Sequence, residues 1–143
     1  MAGGAISRAP HEARVGPGRA APLFVTAAVF NWLVALSLAL PGERAWQLAG
    51  LAQPADPLFL HLFLTFVALF GIAYLWIGVA PAGKDALVVI GAVGKASAFA
   101  VLFGHYLAGS VPAGVAALGA GDLVFAALFV RFLFRAGQGR GAP

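Results

Sequence analysis

The sequence predicts an all-α integral membrane protein, folded as a four-helix transmembrane bundle with both termini on the cytoplasmic side. Of the 143 residues, 62% are hydrophobic and only 10% are charged, whereas soluble domains carry about a quarter charged residues. A soluble monomer of this composition would expose large apolar patches, which is unusual. The chain also holds four apolar runs near the length of about 20 residues that a helix needs to cross a bilayer. A membrane bundle accounts for both observations.

Residues 1–21 are predicted to form a disordered basic tail, because they are rich in Gly, Ala, Pro and Arg and show no helical or strand period. The first span is predicted over residues 22–40. Pro22 suits the first turn of a helix, and Pro41 ends the apolar run.

This region also shares features with a signal peptide, so cleavage is kept as an alternative. Arginines precede the apolar run, and the small residues Ser37 and Ala39 would fit a cleavage site near Ala39. The run is nevertheless long enough to span a bilayer, and Pro41 lies just past the cut. A first transmembrane helix is therefore the favoured interpretation.

The remaining chain is divided by turn residues. A mixed polar loop over 42–56 follows the first span, and tight turns are predicted at 81–83 and 109–112, where Gly and Pro cluster. The further spans are predicted over residues 57–80, 85–107 and 114–134. Residues 135–143 are predicted to form a flexible basic tail.

Orientation is predicted from Lys and Arg on the two sides of the membrane, because cytoplasmic loops are enriched in these residues. With the N-terminus inside, the outer side receives only Arg44. The cytoplasmic side receives Arg8, Arg14, Arg19, Lys84, Arg131, Arg135 and Arg140. Both termini are therefore expected inside.

Two charged residues are predicted to lie in the hydrocarbon core, where a charged side chain is unfavourable. Lys95 lies midway along the third span and Asp122 near the middle of the fourth, and a charge at the bilayer centre costs on the order of 2.5–3.5 kcal/mol on insertion scales. Counted from the turn at Ser110, their backbones differ in depth by about 4–5 Å at a rise of roughly 1.5 Å per residue. A lysine stem bridges that gap, so we expect an ion pair between them.

Other polar residues are predicted to extend this site. Asn31 in the first span and Thr65 in the second are expected at the polar midplane with Lys95 and Asp122. Three further residues, His61, His105 and Tyr106, are expected to form an outer polar lining. Asn31 and Thr65 are also ordinary candidates for interhelical hydrogen bonds.

The sequence leaves the role of these two charges open; apart from snorkelling to the interface or misplaced span boundaries, two alternatives remain. The pair is either a structural clasp that fixes helix register or a ligand-binding or proton-handling site, the default for intramembrane charges. We assign no catalytic residues, no cofactor and no metal, since two histidines without a positioned carboxylate fall short of a metal site.

Short motifs in the four spans resemble a known group of proteins. They are Phe30-Asn31, Phe70-Gly71-x-x-Tyr74, Gly94-Lys95 and Gly121-Asp122-Leu123-x-Phe125. Over residues 22–134 the pattern resembles small bacterial four-helix membrane proteins loosely grouped with the DoxX-like family. Some members are associated with quinone-linked redox complexes or oxidative-stress membrane assemblies, so the resemblance implies a redox-partner or lipophile-binding role. It also implies location in a bacterial plasma (inner) membrane, and it assigns no site residue.

The function expected from the sequence is that of a non-enzymatic accessory subunit, or of a binder of a small lipophilic molecule at the polar midplane. The alternative is a small proton-coupled transporter that uses Asp122 and Lys95; an enzyme is the least favoured class. Expected partners are membrane lipid, and another membrane protein or a small lipophile, with a homo-oligomer as a further alternative. Nucleic acid is not expected, because the basic residues flank apolar segments and form no basic face.

Overall fold

The computed structural model describes residues 17–40, 43–52 and 54–138, and this part of the chain is helical apart from its connections. The helices are α1 (Pro17–Ala39), α2 (Glu43–Leu48), α3 (Leu58–Val79), α4 (Asp85–Leu107) and α5 (Ala113–Gln138). All except the short α2 are long and apolar enough to cross a membrane. The predicted all-helical class with four membrane-length helices is confirmed.

Two helices extend into segments that were predicted as tails. α1 begins at Pro17, so residues 17–21 are helical, and α5 continues to Gln138. Proline is favoured in the first turn of a helix, because backbone N–H groups there have no partner within the helix and proline lacks this group. Pro17 takes that position in α1, and Pro22 lies inside the helix. The rest of both predicted tails, residues 1–16 and 139–143, lies outside the described residues.

Short connections make neighbouring helices antiparallel. The α3–α4 and α4–α5 turns contain Gly83 and Gly109, whose φ angles of 71° and 72° are left-handed and favour glycine. The backbone N–H of Leu58 donates to Oδ1 of Asp56 at 2.8 Å, which satisfies one of the free N–H groups at the start of α3. The chain therefore runs up and down four times between two ends of the bundle. We call them the terminal end, where α1 begins and α5 ends, and the α2 end.

The four long helices form two closely packed pairs, α1 with α3 and α4 with α5. Small residues allow the close approach: Ala27 and Ala28 of α1 are fully buried, and Gly71 of α3 lies against the indole of Trp32. In the second pair, a methyl group at Gly119 would lie 3.2 Å from Cδ1 of Leu102. Close packing at small residues is the usual basis of helix association in lipid.

Aromatic side chains fill the space between the two pairs. We call Phe24, Tyr74, Phe129 and Phe132 the aromatic layer. The ring of Phe24 lies 4.9 Å from that of Phe129 and 5.1 Å from that of Phe132, and Tyr74 meets Phe129 at 5.1 Å. Phe24 and Phe129 are fully buried. The pairs are thus joined by large side chains, while the backbones pack closely within each pair.

The outside of the bundle is apolar along all four long helices. Only 22% to 28% of the residues in each apolar segment are buried within the protein. Large hydrophobic side chains such as Leu33, Phe59, Val93 and Val124 are exposed. Hydrocarbon is the environment in which such a surface is stable.

At the α2 end, the connection between α1 and α3 lies across the bundle. Trp46 of α2 is buried, in a segment that was predicted as a loop. A methyl group at Gly50 would lie 3.0 Å from Cγ of Pro112, so this connection touches the α4–α5 turn. It therefore links the first helix pair to the second at this end.

Candidate functional site

A lysine occupies the centre of the bundle, between the two helix pairs. Lys95 lies at the middle of α4 and is only 4% exposed. Its Nζ lies 2.5 Å from Oδ1 of Asp122 on α5. The ion pair predicted from the depths of the two residues is therefore present, and it neutralises both charges inside the apolar bundle.

Asn31 extends this ion pair to the other two helices. Nζ of Lys95 donates to Oδ1 of Asn31 at 3.0 Å, and Nδ2 of Asn31 donates to the backbone oxygen of Val67 at 3.1 Å. One chain of hydrogen bonds thus connects α1, α3, α4 and α5. We call Asn31, Lys95 and Asp122 the polar network.

Three aromatic rings surround the lysine ammonium. Nζ of Lys95 lies 5.0 Å from the ring centre of Phe30, 5.5 Å from that of Tyr74 and 5.1 Å from that of Phe125. Rings at these distances attract a cation through their negative faces. We call these three residues the aromatic cage. The ammonium is therefore held by two oxygen atoms and three rings.

Neighbouring hydrogen bonds hold the surroundings of the network in place. Nε1 of Trp32 donates to the backbone oxygen of Ala68 at 3.1 Å, one residue beyond the carbonyl that Asn31 uses. The hydroxyl of Tyr74 donates to the backbone oxygen of Gly91 at 3.5 Å, one turn before Lys95. Consecutive carbonyls of α3 thus bind consecutive side chains of α1, which fixes the register of this pair.

Asp122 is the accessible member of the network. Its side chain is 18% exposed, compared with 5% for that of Lys95. An ionised carboxylate can accept about four hydrogen bonds; within the described part of the chain, Oδ1 accepts one from Lys95 and Oδ2 has no partner. The site therefore presents an unused acceptor.

Several residues predicted for the site lie elsewhere. Thr65 is exposed, and its hydroxyl donates to the backbone oxygen of His61 at 2.8 Å, on its own helix. His61 is also exposed. Thr65 therefore belongs to the outer surface of α3 and not to the midplane site.

The outer polar lining is likewise not assembled as predicted. Nδ1 of His105 lies 2.9 Å from Oγ of Ser110, in the adjoining turn. Tyr106 is 41% exposed, and its ring lies 6.3 Å from that of Phe103. Both residues lie on the surface near the α2 end. Eleven residues turn a helix through almost three full turns, so Tyr106 lies close to the direction of Lys95, but it belongs to the last turn of α4, where it is exposed.

The aromatic cage was not predicted as part of the site. Twelve Phe are spread over the chain, so aromatic composition alone does not single out three rings. The signal was their place in the sequence: Phe30 precedes Asn31, and Phe125 lies one turn after Asp122. Both also occur in the motifs that carry the DoxX-like resemblance.

The chemistry available here is recognition by charge, hydrogen bonding and aromatic contact. Lys95 and Asp122 are engaged with each other. Across residues 17–40, 43–52 and 54–138, no three His, Cys, Asp or Glu side chains come together in a way that would hold a metal ion. The geometry is that of a binding site or a clasp.

Comparison with known proteins assigns no family to the chain. No protein-family model, curated protein or solved structure matches it. Its function has to be inferred from the polar network and the surfaces around it.

Proposed function

We propose that this protein is a non-enzymatic integral membrane protein that binds a small lipophilic molecule at the polar network, between its two helix pairs. The observation that carries this proposal is the accessible carboxylate of Asp122 beside a buried Lys95 that already donates two hydrogen bonds. The bundle holds the lysine; the aspartate is the group with spare binding capacity.

An unpaired acceptor at this depth needs a partner. Hydrocarbon offers no hydrogen bonds, and an unsatisfied polar group there costs several kcal/mol, roughly. A ligand that donates a hydrogen bond to Asp122 removes this cost. The rings of Phe30 and Phe125, 5.4 Å apart beside the carboxylate, provide an apolar surface for the rest of such a molecule.

An accessory role in a larger assembly is compatible with this binding. The outer surface is apolar on all four long helices, so it suits lipid and the spans of another membrane protein equally. The DoxX-like resemblance supports the same role, since some members of that family are associated with quinone-linked redox complexes. We propose both roles together, with the polar network as the site.

Native mass spectrometry of the protein released from its own membrane tests the proposal. Wild type should carry a bound small molecule that the Lys95→Met/Asp122→Leu double variant lacks. Thr65→Val is the matched control, because Thr65 is a polar residue on the outer surface of α3, and this variant should retain the molecule. A mass retained by the double variant, or absent from wild type under gentle release, would refute a ligand site at the network.

The second candidate is a small proton-coupled transporter, favoured by the accessible carboxylate paired with a lysine. Proton exchange at Asp122 would alternate with its pairing to Lys95. Proteoliposomes with a pH-sensitive dye inside provide the test: substrate-dependent proton flux that disappears in Asp122→Asn would favour transport over simple binding. Absence of flux with a ligand still bound would eliminate this candidate.

We further infer that the protein lies in a bacterial plasma membrane with both termini in the cytoplasm. The orientation is supported by the distribution of Lys and Arg, since Arg44 lies at the α2 end and Lys84, Arg131 and Arg135 lie toward the terminal end. The bacterial membrane is supported by the DoxX-like resemblance. Nζ of Lys84 lies 4.6 Å from the ring centre of Trp76. Lysine and tryptophan both favour the membrane interface, so this contact supports an interface near the α3–α4 turn.

A further inference from the structure

The polar network restricts the chemistry of the ligand, if the proposed function holds. Its strongest donor is already used: the ammonium of Lys95 donates to Asn31 and to Asp122, and the aromatic cage lies around it. A lysine has three N–H donors and no acceptor. Because the side chain is only 5% exposed, it offers little to an incoming molecule.

The unused capacity of the site is an acceptor. Oδ1 of Asp122 receives the lysine proton, and Oδ2 has no donor among the residues that the structure describes. A ligand that carries only acceptors, such as an ether or an ester, would face another acceptor. The ligand therefore needs a donor, either a hydroxyl or an N–H group.

The charge balance of the site excludes a ligand that is a cation or an anion. Lys95 and Asp122 sum to zero, and they are the two charges at this depth of the described chain. A bound cation would add an uncompensated positive charge beside the ammonium, and a bound anion would be repelled by the open oxygen. Charges without a partner are costly in an apolar interior. A neutral ligand leaves the balance unchanged.

The aromatic surface near Asp122 indicates that the rest of the ligand is apolar. Phe30 packs against α5 so closely that a methyl group at Gly121 would lie 3.2 Å from its Cζ. Phe30 and Phe125 are both half-buried. Both rings and the carboxylate contact the same ammonium: Nζ of Lys95 lies 5.0 Å from the ring centre of Phe30, 5.1 Å from that of Phe125 and 2.5 Å from Oδ1 of Asp122.

We propose that the ligand is a neutral lipophile whose hydroxyl or amide N–H donates a hydrogen bond to Oδ2 of Asp122 and whose apolar body lies against Phe30. This inference rests on the proposed function and adds the chemical class of the ligand. Two sources share the chemistry: a membrane lipid with a free hydroxyl, and a free lipophilic alcohol.

Four probes with the same ten-carbon chain separate the possible head groups: decanol, decyl methyl ether, decylammonium and decanoate. Each is titrated against the protein in lipid nanodiscs, and the midpoint of thermal unfolding is recorded. Lys95→Met/Asp122→Leu is the control, since any shift in this variant reports partitioning into the bilayer alone. Dioctanoylglycerol is added as a lipid with a free hydroxyl.

Decanol should raise the midpoint of wild type with a half-maximal concentration at least tenfold below that of the ether, and this difference should vanish in the double variant. A stronger effect of dioctanoylglycerol than of decanol identifies a lipid as the source, and the reverse identifies a free alcohol. Equal effects of alcohol and ether would overturn the inference, as would tighter binding of decylammonium or decanoate.

Two further results distinguish a wrong ligand class from the absence of a lipophile site. Tighter binding of decylammonium that is lost in the double variant would retain a lipophile site and reject a neutral ligand. If the double variant does not fold, infrared difference spectra of wild type decide: decanol should shift a carboxylate stretching band, whereas the ether should not. A band that moves with neither probe would overturn the inference.

Discussion

Lys95 and Asp122 illustrate how a charge is kept in an apolar bundle. Each residue alone would be costly at this depth, and their 2.5 Å contact replaces much of the lost hydration. Asn31 and the aromatic cage provide the rest for the lysine. Removing one partner should therefore be worse than removing both.

A double-mutant cycle on Lys95→Met and Asp122→Leu tests this expectation. Stranding one buried charge costs roughly 3–5 kcal/mol in soluble interiors, and hydrogen-bond coupling in membranes averages about 0.6 kcal/mol, so a value between these is expected for each single change. The double variant should be more stable than either single variant, measured as thermal unfolding in detergent. Additive losses would mean that the two side chains do not interact.

The sequence allowed this pair to be predicted but not the full site. Depth follows from counting residues, because the rise along a helix is fixed, and this arithmetic located Lys95, Asp122 and Asn31. The direction in which a side chain points needs an amphipathic pattern. α3 is apolar on all sides, so nothing in its sequence indicated that Thr65 faces outward while Tyr74 faces Lys95.

The close packing of Gly71 against Trp32 was likewise not predicted from the sequence, and it supports a second prediction. A methyl group there would lie 2.7 Å from Cδ1 of Trp32, so Gly71→Ala should force the indole away from the carbonyl of Ala68. Overpacking of this kind costs about 1–3 kcal/mol. The loss should be visible in thermal unfolding and in a changed tryptophan emission.

Gly94→Ala is the matched control on α4. Among the residues that the structure describes, no atom outside the adjoining backbone of α4 lies within 4 Å of a methyl group at Gly94. Alanine also favours a helix by about 1 kcal/mol relative to glycine. This variant should unfold at the same temperature as wild type or slightly above it. Equal destabilisation by the two variants would contradict the packing of Gly71 against Trp32.

At the scale of the helices, the aromatic layer is what holds one pair against the other. Phe129 is fully buried and meets Phe24 and Tyr74 from the opposite pair. The backbones of α1 and α5 approach each other at few points. Ring contacts therefore carry much of the association between the pairs.

Phe129→Ala should consequently be among the most damaging apolar substitutions in the chain. Deleting a buried phenylalanine side chain costs about 3–5 kcal/mol in protein interiors. Phe134→Ala, on the same helix but 69% exposed, should change stability by less than about 0.5 kcal/mol. Thermal unfolding in one detergent compares the two variants, and similar losses for both would show that the layer does not join the pairs.

For the whole molecule, the first question is orientation. Both termini are predicted in the cytoplasm, so reporter fusions at the two ends should behave alike. Green fluorescent protein should fluoresce at either end, and alkaline phosphatase should be inactive at both, because it matures only outside the cytoplasm. An active phosphatase at the C-terminus would contradict the four-span orientation, and a mature chain beginning near Leu40 would reveal cleavage.

The division of polar groups between the two helix pairs has a consequence for biosynthesis. Both charges lie on the α4–α5 pair, where they neutralise each other, and the amide group of Asn31 is already bonded to Val67 within the α1–α3 pair. Each hairpin leaving the ribosome therefore contains its own electrostatic compensation. We therefore expect that the first hairpin can enter the bilayer before the second has been translated. Their later meeting would add the Lys95–Asn31 bond and the ring contacts without moving a charge through hydrocarbon.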